Sequence, residues 1–273
     1  MPRVAITVAG RRVEFDIDDG RDDEPAGFLL SVRKSGSSIF TNMGRSLARA
    51  NKRPFVDVAH PFFDADVPPR DYAVAPELVD LLRPGVTYGG FRNMPLAFLG
   101  HELFDAGPKI LFVRDPRDAI VSEFFSMAWS HPLPGTDAGP GGVSSDIRRL
   151  REKARSEEID AYALRQAAAM RMTIMQYEPV IGSPTLIVLK YEDYIFDKGA
   201  LLRRIADHFG WRADDRLVDL ILAWADVRPV HEDPTKFVRR VTPGDHLEKL
   251  LPATIAELNE RLRPALELFG YTA

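Results

Sequence analysis

The sequence predicts an α/β fold: a central parallel sheet with helices on both faces, an N-terminal β-hairpin and a helical C-terminal part. Three observations predict it. Residues 28–32 (FLLSV), 109–113 (KILFV) and 185–189 (TLIVL) are short, almost wholly apolar runs, the pattern of strands buried on both faces. Segments with helical spacing separate them. The chain has 273 residues, enough to bury one large core, and no repeat, linker or shift in composition divides it. Residues 1–273 therefore read as a single domain, with 1–27 as a hairpin extension.

The elements follow in order. Residues 1–18 alternate apolar and polar around Gly10, the pattern of a hairpin. The strand at 28–32 runs into Arg33-Lys34-Ser35-Gly36-Ser37-Ser38 and then a helix with Ile39, Met43, Leu47 and Ala50 on one face. A second strand is expected at 55–59, a Pro- and Asp-rich loop at 61–70, a third strand at 86–91 and a helix at 96–104. After the strand at 109–113, a helix is expected over 116–130, with Pro116 in the first turn, where its missing N–H costs nothing. Residues 131–143 (HPLPGTDAGPGGV) read as a loop. Residues 145–178 are mostly helical, a strand follows at 185–189, and a helix at 198–209 is closed by Gly210. Two last helices are expected at 214–226 and 252–269.

Composition narrows the function. Apolar residues make up 45% and charged residues 28%, which argues against disorder. The formal net charge of −4 disfavours general nucleic-acid binding, so an anionic ligand needs a local basic site. Cysteine is absent, which excludes disulfides, thiolate zinc sites and cysteine nucleophiles and fits a cytoplasmic protein. No apolar run reaches bilayer length, and no secretory signal pattern is present. The six histidines have no metal-ligand spacing, and no metal is expected.

Three separated segments carry chemistry. In 31–40, successive N–H groups of a tight turn before a helix N-terminus form an anion pocket. Gly36 allows close approach, Lys34 adds a point charge, and Ser37 and Ser38 add hydroxyls. Taken alone this is also an ordinary strand-to-helix turn, and it is not a Walker A loop, which requires GxxxxGK[ST]. In 111–123, Arg114 stands at the carboxyl end of a strand, where open α/β sheets bind ligands, and its fork suits a phosphate. Asp115 reads as the cap of the next helix, with Arg117 and Asp118 solvated. In 237–246, Arg239 and Arg240 precede a turn rich in Thr, Pro, Gly and Asp.

Together, in this order, the segments resemble the sulfotransferases that use 3′-phosphoadenosine 5′-phosphosulfate (PAPS), whose fold is related to the P-loop NTPases. RKSGSSIF resembles PKSGTTW. RDPRDAIVS resembles RNPKDxxVS, matching at Arg114, Pro116, Asp118, Val121 and Ser122. RRVTPGDH resembles RKGxxGDW, Lys190-Tyr191-Glu192-Asp193 matches a YED element, and Phe269-Gly270-Tyr271 is also family-like. The resemblance covers residues 28–271. It implies in-line transfer of a sulfuryl group from PAPS to a hydroxyl or amine, leaving 3′,5′-adenosine bisphosphate (PAP). Arg33, Lys34, Ser35, Gly36, Ser37 and Ser38 would hold the 5′-phosphosulfate, with Lys34 steadying the leaving phosphate. Arg114, Ser122, Arg239 and Arg240 would hold the 3′-phosphate, and Tyr191 would lie near the adenosine. The acceptor is a small molecule, carbohydrate or lipid.

The departures bear on the base. Many family members carry a histidine in a THLP-like segment, and Asn93 stands there in Phe91-Arg92-Asn93-Met94-Pro95. An amide is no base, and a simple phenol acceptor is correspondingly less favoured. The candidates are His60 and Asp57, with Asp64 and Asp66 beside them; a histidine has a suitable pKa for the task. In the third motif, His246 and Val241 replace the usual Trp and Gly. Met170, Met172, Ile174 and Met175 read as core, the run Arg148–Arg155 as a solvated helix face, and Phe125 and Trp129 as core or acceptor lining. Two other readings share these residues: a P-loop-type phosphotransferase, and a nucleotide-binding protein without turnover.

Overall fold

The computed structural model describes residues 3–135 and 139–272. Strands β1 (Arg3–Val8) and β2 (Arg11–Asp16) form the hairpin, turning at Ala9 and Gly10, both at positive φ. One face of the hairpin is buried: Ile6, Val8, Val13 and Phe15 join the main core, with Phe15 edge-on to Phe62 at 5.4 Å.

The central sheet has five parallel strands: β3 (Gly27–Ser31), β4 (Phe55–Asp57), β5 (Thr87–Gly89), β6 (Lys109–Val113) and β7 (Leu186–Lys190), in the order β4-β5-β3-β6-β7. Helices cover both faces, and the period of two along each strand divides them. Leu29, Ile110 and Phe112 face α1 (Ser37–Ala50), α9 (Lys198–Phe209) and α10 (Asp215–Ala225). Phe28, Leu30, Leu111 and Val113 face the other way, into the core that holds α5 (Pro116–Phe125), α7 (Ile159–Met175) and α12 (Pro252–Leu268). The chain leaves β3 toward β4 on one side and reaches β6 on the other. The topological switch therefore lies between the carboxyl ends of β3 and β6, where such sheets bind ligands.

Several elements differ from expectation. The segment 61–70 is not wholly loop: α2 (Ala59–Asp64) and α3 (Pro69–Tyr72) occupy much of 59–72. The helix expected at 96–104 is a 3₁₀ turn (Leu96–Phe98) and α4 (Glu102–Ala106), separated by Gly100 at φ +81°. The long helix after β6 ends at Phe125 and continues as a π turn, Ser126–Ser130, closed by the His131 N–H on the Ser126 carbonyl at 2.7 Å. Residues 145–178 divide into α6 (Val143–Ser156), α7 and a 3₁₀ turn (Glu178–Val180). Part of the loop expected at 131–143, residues 136–138, lies outside the described residues.

Two readings of α6 and α7 are corrected. Arg151 donates to the carbonyls of Met127 (3.2 Å) and His131 (2.5 Å), and Arg155 to that of Ala128 (2.8 Å). The arginine run is not merely a solvated face. A π turn leaves carbonyls without helical partners, and these two guanidinium groups satisfy them. Met170 and Ile174 are core, but Met172 is 62% exposed. The remaining elements are α8 (Tyr191–Tyr194), a 3₁₀ turn at Pro76–Leu81 and α11 (Asp245–Lys249). No helix among the described residues is long and apolar enough to cross a membrane.

Candidate active site

The loop after β3 is built by backbone strain and one inward serine. The Val32 N–H donates to the Phe112 carbonyl at 3.1 Å, which extends the β3–β6 ladder by one residue. The Ser35 hydroxyl contacts the Val32 and Phe112 carbonyls at 2.6 and 3.1 Å. Its side chain therefore fixes the loop from inside rather than facing a ligand. Lys34 takes φ +65° and Gly36 φ +81°. At Gly36 a Cβ would meet the Tyr191 ring at 3.3 Å, so glycine answers both conformation and space. Helix α1 then begins at Ser37 with no side-chain cap, leaving the N–H groups of its first turn for an anion. The Ser38 hydroxyl accepts from Arg92 at 3.2 Å, and the Ser37 hydroxyl has no partner among the described residues.

Lys34 and Arg33 diverge. Arg33 turns to Glu123 of α5 (Nε–Oε2 3.1 Å), which also accepts the Tyr162 hydroxyl at 3.2 Å. It acts as a strut behind the loop. The Lys34 ammonium makes no hydrogen bond or ion pair among the described residues. Burial, with the charges of Arg114, Arg92 and Arg239, lowers its pKa from the ordinary value to about 8, against an opposing pull from Glu123.

Arg114 follows β6 and is buried, its guanidinium carbon 4.5 Å from the centre of the Tyr191 ring. Its Nη2 lies 3.4 Å from Asp118, while its Nε is buried without a partner. Asp115 caps α5 as expected, accepting from the Arg117 N–H at 2.9 Å. Arg117 and Asp118, expected to be solvated, are both buried. Arg117 binds Asp115, Asn259 and the Thr272 carbonyl, because the C-terminal segment closes over it. Asp118 gathers the third motif, accepting from the Gly244 N–H (2.7 Å), the His246 N–H (2.9 Å) and His246 Nδ1 (2.7 Å). Burial opposes its charge, but His246 and Arg114 prevail and hold the carboxyl far below the usual range. Ser122, on the same helix, is half-buried, with its hydroxyl unpartnered among the described residues. Tyr191 donates its hydroxyl to the Val241 carbonyl at 2.7 Å, so its ring joins all three segments.

Comparisons with known proteins address the whole arrangement. No protein-family profile matches the chain, and no curated protein matches it. Solved structures do. The crystal structure of mouse sulfotransferase SULT7A1 complexed with PAP superposes with a TM-score of 0.57, covering 91% of this chain and 85% of that one at 15% identity. This chain has the sulfotransferase fold. Retinol dehydratase in complex with androsterone and inactive cofactor PAP gives 0.49, with coverage of 89% and 80% at 16% identity. A sulfotransferase from Alicyclobacillus acidocaldarius gives 0.42, with coverage of 92% and 97% at 14% identity.

Within the sulfotransferase fold, the third motif is occupied by its own carboxylates. Arg239 lies over the Phe125 ring, 4.0 Å from its centre, and pairs with Glu232 and Asp245. Arg240 is gripped by both oxygens of Glu248 at 2.5 Å, with Asp245 at 3.4 Å. Phe125 and Trp129 stack at 5.6 Å, and Trp129 is 45% exposed, so it is not core.

The candidate bases lie elsewhere. His60 is exposed on α2, with Nε2 3.5 Å from Asp64. Asp57 is committed to Arg45 and to the His60 N–H at 3.2 Å. Asp66 is buried and accepts from the Ser144 N–H at 2.6 Å, at the start of α6. None of these groups is among the charges that act most strongly on Lys34. A residue not singled out in the sequence does share that field: His131, which feels Lys34, Arg92 and Arg151. Its only sequence signal is its place directly after the helix of the second motif.

Proposed function

We propose that this protein is a PAPS-dependent sulfotransferase, a single-domain cytoplasmic enzyme that moves a sulfuryl group to a hydroxyl or amine of a small-molecule, carbohydrate or lipid acceptor. One observation carries the reading. The Lys34 ammonium, free of protein partners, shares an electrostatic field with Arg114, whose Nε is buried and unpaired, at the switch point of a sulfotransferase fold. Two orphaned cationic groups from separate motifs at such a crevice suit a ligand with phosphate groups at both ends.

The donor, when bound, supplies an activated sulfuryl group on a phosphate that can leave. The chain does the rest. The first-turn N–H groups of α1, with Ser37 and Ser38, bind the phosphosulfate end. Lys34 places a positive charge where negative charge develops on leaving, and a partly desolvated site strengthens that interaction. Arg114 and Ser122 bind the 3′-phosphate. Arg239 and Arg240 join them as their carboxylate partners give way. Tyr191 backs Arg114 and borders the adenosine.

Calorimetry with PAP, beside ATP and Mg²⁺, tests this. The expected result is micromolar binding of PAP, about −8 kcal/mol, and much weaker binding of ATP. A preference for ATP with Mg²⁺ would point to a phosphotransferase instead.

A further inference from the structure

Five of the six histidines have other occupations or stand apart. His60 faces Asp64 on the surface, His101 caps α4 through the Leu103 N–H, His208 meets the Thr185 carbonyl, His246 is held by Asp118, and His231 is exposed.

His131 is different. Its Nδ1 lies 3.2 Å from the Ser126 hydroxyl, its N–H donates to the Ser126 carbonyl at 2.7 Å, and its carbonyl accepts from Arg151 at 2.5 Å. These contacts anchor the residue at the end of the π turn. Its Nε2 has no hydrogen-bond partner among the described residues and is not sealed from solvent. Three elements bring charge to the ring: Lys34 from the loop after β3, Arg92 from the loop after β5, and Arg151 from α6. Burial first, then these cations, lowers its pKa to about 3. The imidazole is therefore neutral at physiological pH, with an Nε2 lone pair in the tautomer whose hydrogen faces Ser126.

We propose that His131 is the proton acceptor for the incoming hydroxyl or amine, in place of the histidine absent at Asn93. The proposal rests on the sulfotransferase reading above. The acceptor's O–H or N–H bond breaks and its proton passes to Nε2. The freed electron pair forms the bond to sulfur as the bond from sulfur to the bridging phosphate oxygen breaks. That second pair leaves with the phosphate, beside Lys34, and His131 later gives its proton to water. The same cations make the base conditional. In the free protein they hold His131 too weak to be useful. Negative charge from the bound donor offsets them and brings the imidazole toward the range where general bases work best.

Nitrogen-15 NMR titration of the histidine rings in the intact protein, with and without PAP, tests this, the His131→Asn variant assigning the signal. In the free protein His131 stays neutral down to about pH 4, and PAP raises its midpoint by about 2 pH units or more. By calorimetry His131→Asn keeps wild-type affinity for PAP. With water as the acceptor, its release of sulfate from PAPS falls about 10²-fold or more. If PAP binds and the midpoint does not move, or the variant keeps the wild-type rate, His131 is not the base and the sulfotransferase reading stands. If PAP does not bind, the reading and the proposal fall together.

Discussion

Arg114 and Tyr191 stack one step beyond the last paired residues of two neighbouring parallel strands. Val113 and Lys190 are the terminal register pair of β6 and β7, and the next residues place a guanidinium carbon 4.5 Å from a ring centre. Parallel register thus brings together two residues 77 positions apart, each at a strand's carboxyl end. The Asp115 N–H donating to Glu192 at 2.9 Å locks the same step one residue further on.

Replacing Arg114 is expected to weaken cofactor binding more than turnover. A charged hydrogen-bonding group contributes about 1.5–3 kcal/mol, roughly 10–150-fold in affinity. Arg114→Lys keeps the charge and loses the fork, so most of that loss should remain. Calorimetry with PAP measures it, and unchanged affinity would remove Arg114 from the site.

Lys34→Met should abolish turnover and stabilise the fold. Loss of a positive charge at the leaving group costs about 10²–10³ in rate. Stability runs the other way. The folded-state pKa of Lys34 is about 8, below the ordinary 10.5, so between these values the unfolded chain binds more protons. Wild-type stability attributable to this group therefore rises with pH across that window. The variant should gain most in Tm below pH 8 and nothing above about pH 10.5. Parallel melts of the two proteins at pH 7 and pH 10.5 check the sign.

Asp118→Asn should loosen the third motif. It removes the charge that meets Arg114 and His246 in a buried site, a change that costs about 3–5 kcal/mol. In the wild type, the depressed pKa of Asp118 supplies stability above the unfolded carboxyl value, 3.8, and this is lost as pH falls below it. The variant should be less stable at pH 7 and show a shallower loss in acid. Urea unfolding at pH 7 and pH 3 distinguishes the two.

Gly36→Ala should damage the loop and the platform beside it. The left-handed φ of +81° costs a side chain about 1–2 kcal/mol, and the new Cβ presses on the Tyr191 ring. A lower Tm together with weaker PAP binding is expected. A lower Tm with unaltered binding would separate the loop from the ligand.

Elements with strong local signals were legible. The helix over 198–209 has its boundaries as read, because Asp197 caps it through the Ala200 N–H and Gly210 closes it at φ +67°. The strand at 109–113 is likewise as read. The helix expected at 96–104 was not legible, since its apolar period continues through Gly100, whose left-handed turn breaks the path. The motif residues were visible as a set, but not their commitments. Ser35 faces inward, Arg33 braces α5, and Arg239 and Arg240 already hold carboxylates. Those partners lie far away in sequence or on other elements.

The sequence by itself determined the alternation of strand and helix, the two-faced burial of the sheet and the positions of the anion-binding turns. These follow from periodicity and from a few residues at element ends, which act over a handful of positions. Only the tertiary structure decided which charges are paired and which stand free. Asp118 meets His246 across 128 positions, and His131 shares a field with Lys34 and Arg92 because three elements converge. Burial and electrostatic coupling are set by distance in space, and no local pattern encodes them.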